Sequence, residues 1–243
     1  MSAPAKPPEG LLLALETSGD VCGVAVQRGR QFLSEHRFRH GMHLSERLMG
    51  HIDAVLADAE ATLDDVTAFA VGIGPGSFTG TRIGVMTAKT FAAVTGQPIV
   101  GVVGLAALAA EYAGLRDTLV TPILPCRAGV VYAGLFVVEG ETPAPLMGPA
   151  ALPLADLLVR IGAHAPRHLV FCGPAVPRYA AELRTGLQGH ALTVSFGKAS
   201  DPRAALIAHL AYQRLESGAA PDDPMTLVPL YISPPPITLP KTR

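Results

Sequence analysis

A glycine-rich loop lies between a short apolar run and a helical pattern, and few folds accommodate that arrangement. The loop reads GPGSFTG and spans residues 74–80. We predict a strand over residues 68–73 before it and a helix over about 81–95 after it, ended by Gly96. Glycines at a strand-to-helix turn free backbone N–H groups and permit close backbone approach. The segment therefore predicts an α/β fold.

The chemistry of this loop is open on spacing alone. It lacks the Gly-Lys-Ser/Thr ending of a P-loop, and its G-x-G-x-x-x-G spacing is one residue off the dinucleotide-binding fingerprint. A tight turn that needs a positive φ explains it better than an anion site does. A second polar turn at residues 17–20 follows an apolar strand, however, and two such loops in one lobe would share a cleft. The candidate phosphate-binding residues are Thr17, Ser18, Gly74, Gly76 and Ser77.

The rest of the chain alternates strand and helix patterns in two similar halves. In the first half we predict strands over 11–16, 21–27, 30–38 and 99–103, and a helix with Leu44, Leu48, Ile52, Val55 and Leu56 on one face. In the second half we predict strands over 119–124, 130–138 and 168–172, and helices over 176–187 and 203–215, the last capped by Asp201. This order predicts an N-terminal lobe over 11–103 and a C-terminal lobe over 104–233, with flexible tails at 1–10 and 234–243. An alternative placement of the last helix, 203–215, is against the first lobe.

Composition excludes several classes of protein. Hydrophobic residues make up 49% of the chain and charged residues 16%, which excludes a disordered protein. The net charge of -1 provides no basic field for a nucleic-acid backbone, and aromatics at 5% offer few stacking platforms. The three cysteines have no CxxC spacing, which indicates reduced thiols. No apolar stretch reaches the length of a signal sequence or a membrane span, so we expect a cytoplasmic protein without a membrane partner.

Motifs for autonomous catalysis are missing from the sequence. His40, His43 and His51 are close in sequence, but no HExxH or other metal-ligand spacing includes them, and solvated or capping histidines are the better interpretation. No nucleophile-elbow sequence is present. The helix after the glycine loop is apolar nearly all round, which indicates cover on two sides. One cover is its own sheet, and the pattern leaves open whether the other is the same chain or a partner.

Three blocks of the sequence carry a resemblance to a known family. They read LLLALETSGDVCGVAV, HLSERLMGHID and FAVGIGPGSFTGTRIGVMTAKTFAAVTGQPIVGV, and together they resemble the TsaB (YeaZ) family. The resemblance covers residues 11 to about 110 and continues weakly through ILPCRAGVVYAGLF and PLYISP. It implies the actin/Hsp70-like (ASKHA) fold, with two lobes that each hold a mixed sheet with helices.

The resemblance also implies a role and partners. Members of this family are subunits without their own active site in a complex that transfers threonylcarbamoyl to the tRNA adenosine following the anticodon. The expected partners are a TsaD-like catalytic subunit and a TsaE-like ATPase, with tRNA reached only through the complex and a homodimer in isolation. We expect no metal, no cofactor held by the subunit alone, and at most weak binding of ATP or ADP. The implied partner interface consists of Leu44, Leu48, Ile52, Ile83, Met86, Thr87, Thr90 and Val94.

Departures from related patterns bear on two alternative functions. TsaD-type relatives carry a His-x-x-x-His metal pair after the strand that matches 99–103, where this chain has Gly104 and Leu108. That difference argues against a metal-dependent glycoprotease-like hydrolase. Cys126 precedes Arg127 where relatives often have an aspartate, which weakens nucleotide binding. A small actin-like kinase is the other alternative, for which the chain is short and lacks an evident catalytic aspartate in the second lobe.

Overall fold

Two five-stranded mixed sheets, one in each lobe, form the framework of the chain. The computed structural model describes residues 10–39, 43–164, 166–189 and 191–232. The tails predicted at 1–10 and 234–243 therefore lie outside the described residues, apart from Gly10, and so does His40.

The first sheet has the strand order β3-β2-β1-β4-β5. Its strands are β1 (Leu11–Glu16), β2 (Val21–Arg28), β3 (Gln31–Arg39), β4 (Val66–Gly72) and β5 (Ile99–Val102). The first three form an antiparallel meander, while β4 and β5 add in parallel to β1. Helices α1 (Leu44–Asp58) and α2 (Phe78–Thr95) cover one face, where their apolar residues join those of β1 and β4 in one core.

The second sheet has the order β10-β9-β6-β7-β8. Its strands are β6 (Thr118–Arg127), β7 (Val130–Val137), β8 (Ala144–Pro153), β9 (His168–Cys172) and β10 (Thr193–Phe196). Helices α4 (Leu154–Ala163) and α5 (Val176–Gly186) cover one of its faces. Edge strand β8 contains three prolines, which an edge tolerates because the proline nitrogen has no proton to donate to a neighbouring strand.

Two helices join the lobes. Helix α6 (Ala204–Glu216) lies on the free face of the first sheet, although it comes from the end of the chain. Helix α3 (Gly104–Ala110) packs between α6 and the second sheet, with Ala107 towards the first core and Leu105 towards the second. The apolar layers of the two lobes are thereby continuous through α3.

The residues after α6 return across the first lobe as a strap over residues 219–232, called here the C-terminal strap. The N–H of Asp222 donates to the carbonyl of Ile99 on β5 (2.8 Å), and its carboxylate accepts from the N–H of Gly101 (2.8 Å). The ammonium group of Lys89 donates to the Leu227 carbonyl (2.7 Å). The strap therefore covers the edge of β5, which would otherwise present unpaired backbone groups.

Several predicted elements needed correction. Helix α2 begins at Phe78, three residues before the predicted start, because Ser77 caps it. Asp201 does not cap α6, since its carboxylate accepts from the N–H of Val21 (2.9 Å) and the helix begins at Ala204. Helix α3, helix α4, strand β8 and strand β10 were not predicted from the sequence.

Candidate functional site

The two loops singled out from the sequence meet at the carboxyl end of β1. The N–H of Ser77 donates to the carbonyl of Ser18 (2.7 Å), and the hydroxyl of Thr17 donates to the carbonyl of Gly80 (2.8 Å). The Ser77 hydroxyl accepts from the Gly80 N–H (3.2 Å) and so caps α2. Some of the hydrogen-bonding groups of both loops are therefore used to hold the loops to each other.

Glycines are required in the loop and in the first turns of α2 because the turn at residues 17–20 lies against them. A Cβ on Gly76 would lie 2.3 Å from the Ser18 carbonyl oxygen, and a Cβ on Gly84 would lie 2.2 Å from the Thr17 hydroxyl. Gly74 has a φ of 93°, in the left-handed region that favours glycine. These contacts explain the glycine spacing as close packing of α2 on the end of β1.

A cleft of about 350 Å³ opens beside these loops, between the two lobes. The first lobe contributes both loops, the second contributes the β6–β7 hairpin with Cys126, and the C-terminal strap closes one side. Of the candidate phosphate-binding residues, Ser18, Gly76 and Ser77 line the cleft. Thr17 and Gly74 are not among the lining residues, because the Thr17 side chain is fully buried and points to α2.

Carboxyl groups dominate the polar chemistry at the base of the cleft. Asp20 and Asp201 line it, and no lysine or arginine is among the described lining residues. Burial raises the pKa of Asp201, partly offset by its bond from the Val21 N–H. Burial also raises the pKa of Glu16 to about 7, against the lowering effect of its hydrogen bond from Ser18 (2.7 Å). A polyphosphate would meet negative charge here unless a cation accompanied it.

Two buried polar atoms beneath the cleft have no hydrogen-bond partner among the described residues. They are Oε2 of Glu16 and the hydroxyl oxygen of Ser18. A Cβ on Gly72 would lie 1.9 Å from that Glu16 oxygen, so Gly72 leaves the space that the carboxyl group occupies. A buried polar atom without a partner destabilises the fold by about 1–3 kcal/mol, so these two atoms lower the stability of the first lobe.

The positions that would hold the metal pair of TsaD-type relatives lie at α3. The N–H of Gly104 donates to the Gly74 carbonyl (2.9 Å), and Leu108 is buried against the second sheet. Within the described ranges, no group of three His, Cys, Asp or Glu side chains is close enough to hold a metal ion. Of the histidines considered, His51 stacks on Phe38, and His43 stands at the start of α1 without a side-chain capping bond.

The structure corrects the predicted partner interface. Leu44, Leu48 and Ile52 are buried in the core of the first lobe, because the apolar stripe of α1 faces its own sheet. They are unavailable as a surface. On α2 the small stripe of Gly84, Ala88 and Ala92 faces inward. The predicted residues on its other side remain accessible to different degrees: Met86 (56% exposed), Thr90 and Val94 (80%) are exposed, and Ile83 and Thr87 are half-buried.

Sequence reasoning missed one wall of the cleft. The ring of Tyr231, on the strap, lies 5.0 Å from the ring of Phe78, at the first turn of α2, and both line the cleft. The nearby Leu230 N–H donates to the Ile73 carbonyl (2.8 Å). The block PLYISP belongs to the family resemblance, but a sequence pattern does not predict a contact between residues 78 and 231.

Comparison with known proteins agrees with this architecture. Residues 40–170 match the family model described as TsaD, tRNA N6-adenosine threonylcarbamoyltransferase. The chain is 34% identical over 147 residues to the tRNA threonylcarbamoyladenosine biosynthesis protein TsaB of Bacillus subtilis, covering 60% of this chain and 64% of that one. It is 30% identical over 122 residues to TsaB of Escherichia coli, covering 50% and 52%. The stretch matched in these two relatives is less than two thirds of either one's length.

A solved structure extends the likeness over most of the fold. YeaZ from Pseudomonas aeruginosa superposes with a TM-score of 0.77 at 24% identity, covering 91% of this chain and 99% of that chain. This likeness shows the fold, two lobes that each hold a mixed sheet with helices, which is the fold that the resemblance to actin/Hsp70-like (ASKHA) proteins implies. Since the family model covers more than half of its length, the chain belongs to the TsaD-type family, and it is similar to the TsaB (YeaZ) proteins named above.

Among the described residues, no helix is both long and apolar enough to cross a membrane.

Proposed function

We propose that this chain is a non-catalytic subunit in the biosynthesis of threonylcarbamoyladenosine in tRNA, and that it acts by pairing with a TsaD-like catalytic subunit. The observation that carries the proposal is the exposed apolar face of α2, formed by Met86 and Val94. Met49, on the neighbouring α1, is also exposed. A buried aliphatic side chain contributes about 1.5–3 kcal/mol of transfer free energy, so two or three of them are enough to decide an association.

The proposal also includes further members of the complex and a homodimer of the isolated chain. A TsaE-like ATPase joins the complex, and tRNA is held by the complex and not by this chain, whose net charge is -1. Without its partner the chain forms a homodimer through the same face of α2, because an apolar helix face is self-complementary about a two-fold axis. Gly104 and Leu108, at the would-be metal positions, supply no ligand atoms for catalysis.

A charge placed in the exposed face of α2 tests the pairing. Met86→Arg should leave the monomer folded and abolish both the homodimer and the complex with the TsaD-like subunit of the same organism. The matched control is Val159→Arg on α4, an apolar position in the second lobe that is more exposed (74%) than Met86 (56%), which should keep both associations. Light scattering after gel filtration reports the masses, and circular dichroism reports the fold.

The outcome that would contradict the proposal is a folded Met86→Arg variant that still pairs as tightly as the Val159→Arg control. Leu48→Glu is unsuitable for this purpose. Its side chain is 0% exposed, so a charge there would unfold the first lobe instead of separating partners.

A further inference from the structure

We propose that the interlobe cleft is a binding site for a proline-rich, cationic segment, and that its occupant is the chain's own segment 233–243, SPPPITLPKTR. The C-terminal strap brings this segment to the cleft, because Leu230, Tyr231 and Ile232 already form one of its walls.

The apolar lining of the cleft suits a proline-rich segment. Phe78 and Tyr231 pair on the strap side, and Tyr132 faces them from the second lobe. Four prolines add rings to the lining: Pro75, Pro125, Pro174 and Pro202. Aromatic-lined grooves bind polyproline II segments well, because a run of prolines loses little conformational entropy on binding. Residues 234–236 are such a run, and Pro240 follows.

The charge of the cleft is complementary to the same segment. Asp20 and Asp201 line the cleft, while segment 233–243 carries Lys241 and Arg243 and no acidic residue. Arg37 and Arg39 on β3 oppose part of the burial effect on the pKa of Asp201, but neither of them lines the cleft. Since no cationic side chain is among the described lining residues, Asp20 and the Asp201 oxygen that does not accept from Val21 are left to attract cations inside the cleft.

The segment is long enough to cross the cleft. Lys241 stands nine residues after Ile232, and a polyproline II chain advances about 3.1 Å per residue, so nine residues span up to about 28 Å. The wall formed by Ile232 and the wall formed by Asp201 belong to one cleft of about 350 Å³. The reach from one wall to the other is therefore available with residues to spare.

Tethering makes weak binding sufficient. A short linker gives an effective concentration of about 1 mM, so an intrinsic Kd below about 1 mM keeps the cleft occupied for more than half of the time. Removal of the segment should then raise the rate of any reaction that needs an open cleft by at least about twofold.

Cys126 is a built-in reporter of cleft access. It lines the cleft, whereas Cys22 and Cys172 are buried, and burial raises the pKa of both of those thiols. Alkylation followed by peptide mass mapping gives the rate at Cys126 alone. The comparison is between the full chain, a chain ending at Ile232, and the full chain with Lys241→Glu and Arg243→Glu. A chain lacking residues 1–9, which are also proline-rich and carry Lys6, is the matched control, because Gly10 lies at the end of β1 away from the cleft.

The expected result is an increase of at least about twofold at Cys126 for the shortened chain and most of that increase for the charge-reversed chain, with no change in the control. A synthetic peptide SPPPITLPKTR added to the shortened chain should restore protection, and its charge-reversed version should not. Equal rates for the full and shortened chains would overturn the proposal. So would an increase seen only after residues 1–9 are removed, or a peptide that protects Cys126 equally well with its charges reversed.

Discussion

Replacing Gly84 by alanine tests how closely α2 packs on the first loop of the cleft. The added Cβ would lie 2.2 Å from the Thr17 hydroxyl, which is buried and bonded to the Gly80 carbonyl (2.8 Å). Either Thr17 turns away and leaves that carbonyl unsatisfied, or α2 moves off β1. The lost bond and the overpacking together cost about 2–4 kcal/mol, against a gain of about 1 kcal/mol in helix propensity. We expect the free energy of unfolding to fall by about 1–3 kcal/mol.

Urea unfolding followed by circular dichroism measures this change, and the same substitution elsewhere provides the control. Gly50, on the exposed side of α1, has nothing within 4 Å of a built Cβ, so Gly50→Ala should stabilise by about 0.5–1 kcal/mol. In a Thr17→Ala background the cost of Gly84→Ala should shrink by at least about 1 kcal/mol, because the clashing hydroxyl is gone. The packing argument fails if Gly84→Ala is as stable as Gly50→Ala, or if Thr17→Ala leaves its cost unchanged.

Two further predictions concern the base of the cleft. Burial holds the pKa of Glu16 at about 7 against an ordinary value of 4.5. Between these values the folded chain keeps a proton that the unfolded chain has lost, so its contribution to stability falls as pH rises, by about 1.4 kcal/mol per pH unit. Glu16→Gln should remove this pH dependence of stability. Urea unfolding of the original and the variant chain at pH 5 and pH 7 measures it. A difference in unfolding free energy between the two chains that does not change with pH would contradict the prediction. ATP with magnesium should bind the isolated chain weakly or not at all, because N–H donors of the glycine loop are already used: the Ser77 N–H donates to the Ser18 carbonyl and the Gly80 N–H to the Ser77 hydroxyl. Calorimetry showing sub-micromolar affinity would refute this.

Elements with a clear periodic pattern were predictable, and elements buried on both sides were not. Strand β9 (His168–Cys172) has the predicted bounds, since a short branched apolar run between turn residues is a strong strand signal. Helix α3, with the sequence GLAALAA, has no polar face because one side meets α6 and the other meets the second sheet. Its periodicity was therefore invisible in the sequence.

The candidate site residues were likewise predictable where the signal is local and not where it depends on distant contacts. The sequence located the loops at 17–20 and 74–80 and suggested that they share a cleft, which the structure shows. It did not reveal that the Thr17 hydroxyl donates to the Gly80 carbonyl, or that the Asp201 carboxylate accepts from the Val21 N–H instead of capping α6. A short polar side chain before a helix has the same local signature whether it caps that helix or binds a distant strand.

The α/β class, the glycine loop and the family resemblance are predictable from the sequence, because each depends on local spacing and residue type. Which apolar residues remain exposed depends on tertiary packing. Leu48 and Met86 both belong to apolar helix patterns, yet Leu48 is buried under its own sheet and Met86 is exposed. Periodicity gives the face of a helix but not what covers it. That depends on contacts between residues far apart in the chain, such as those that bring Tyr231 to Phe78.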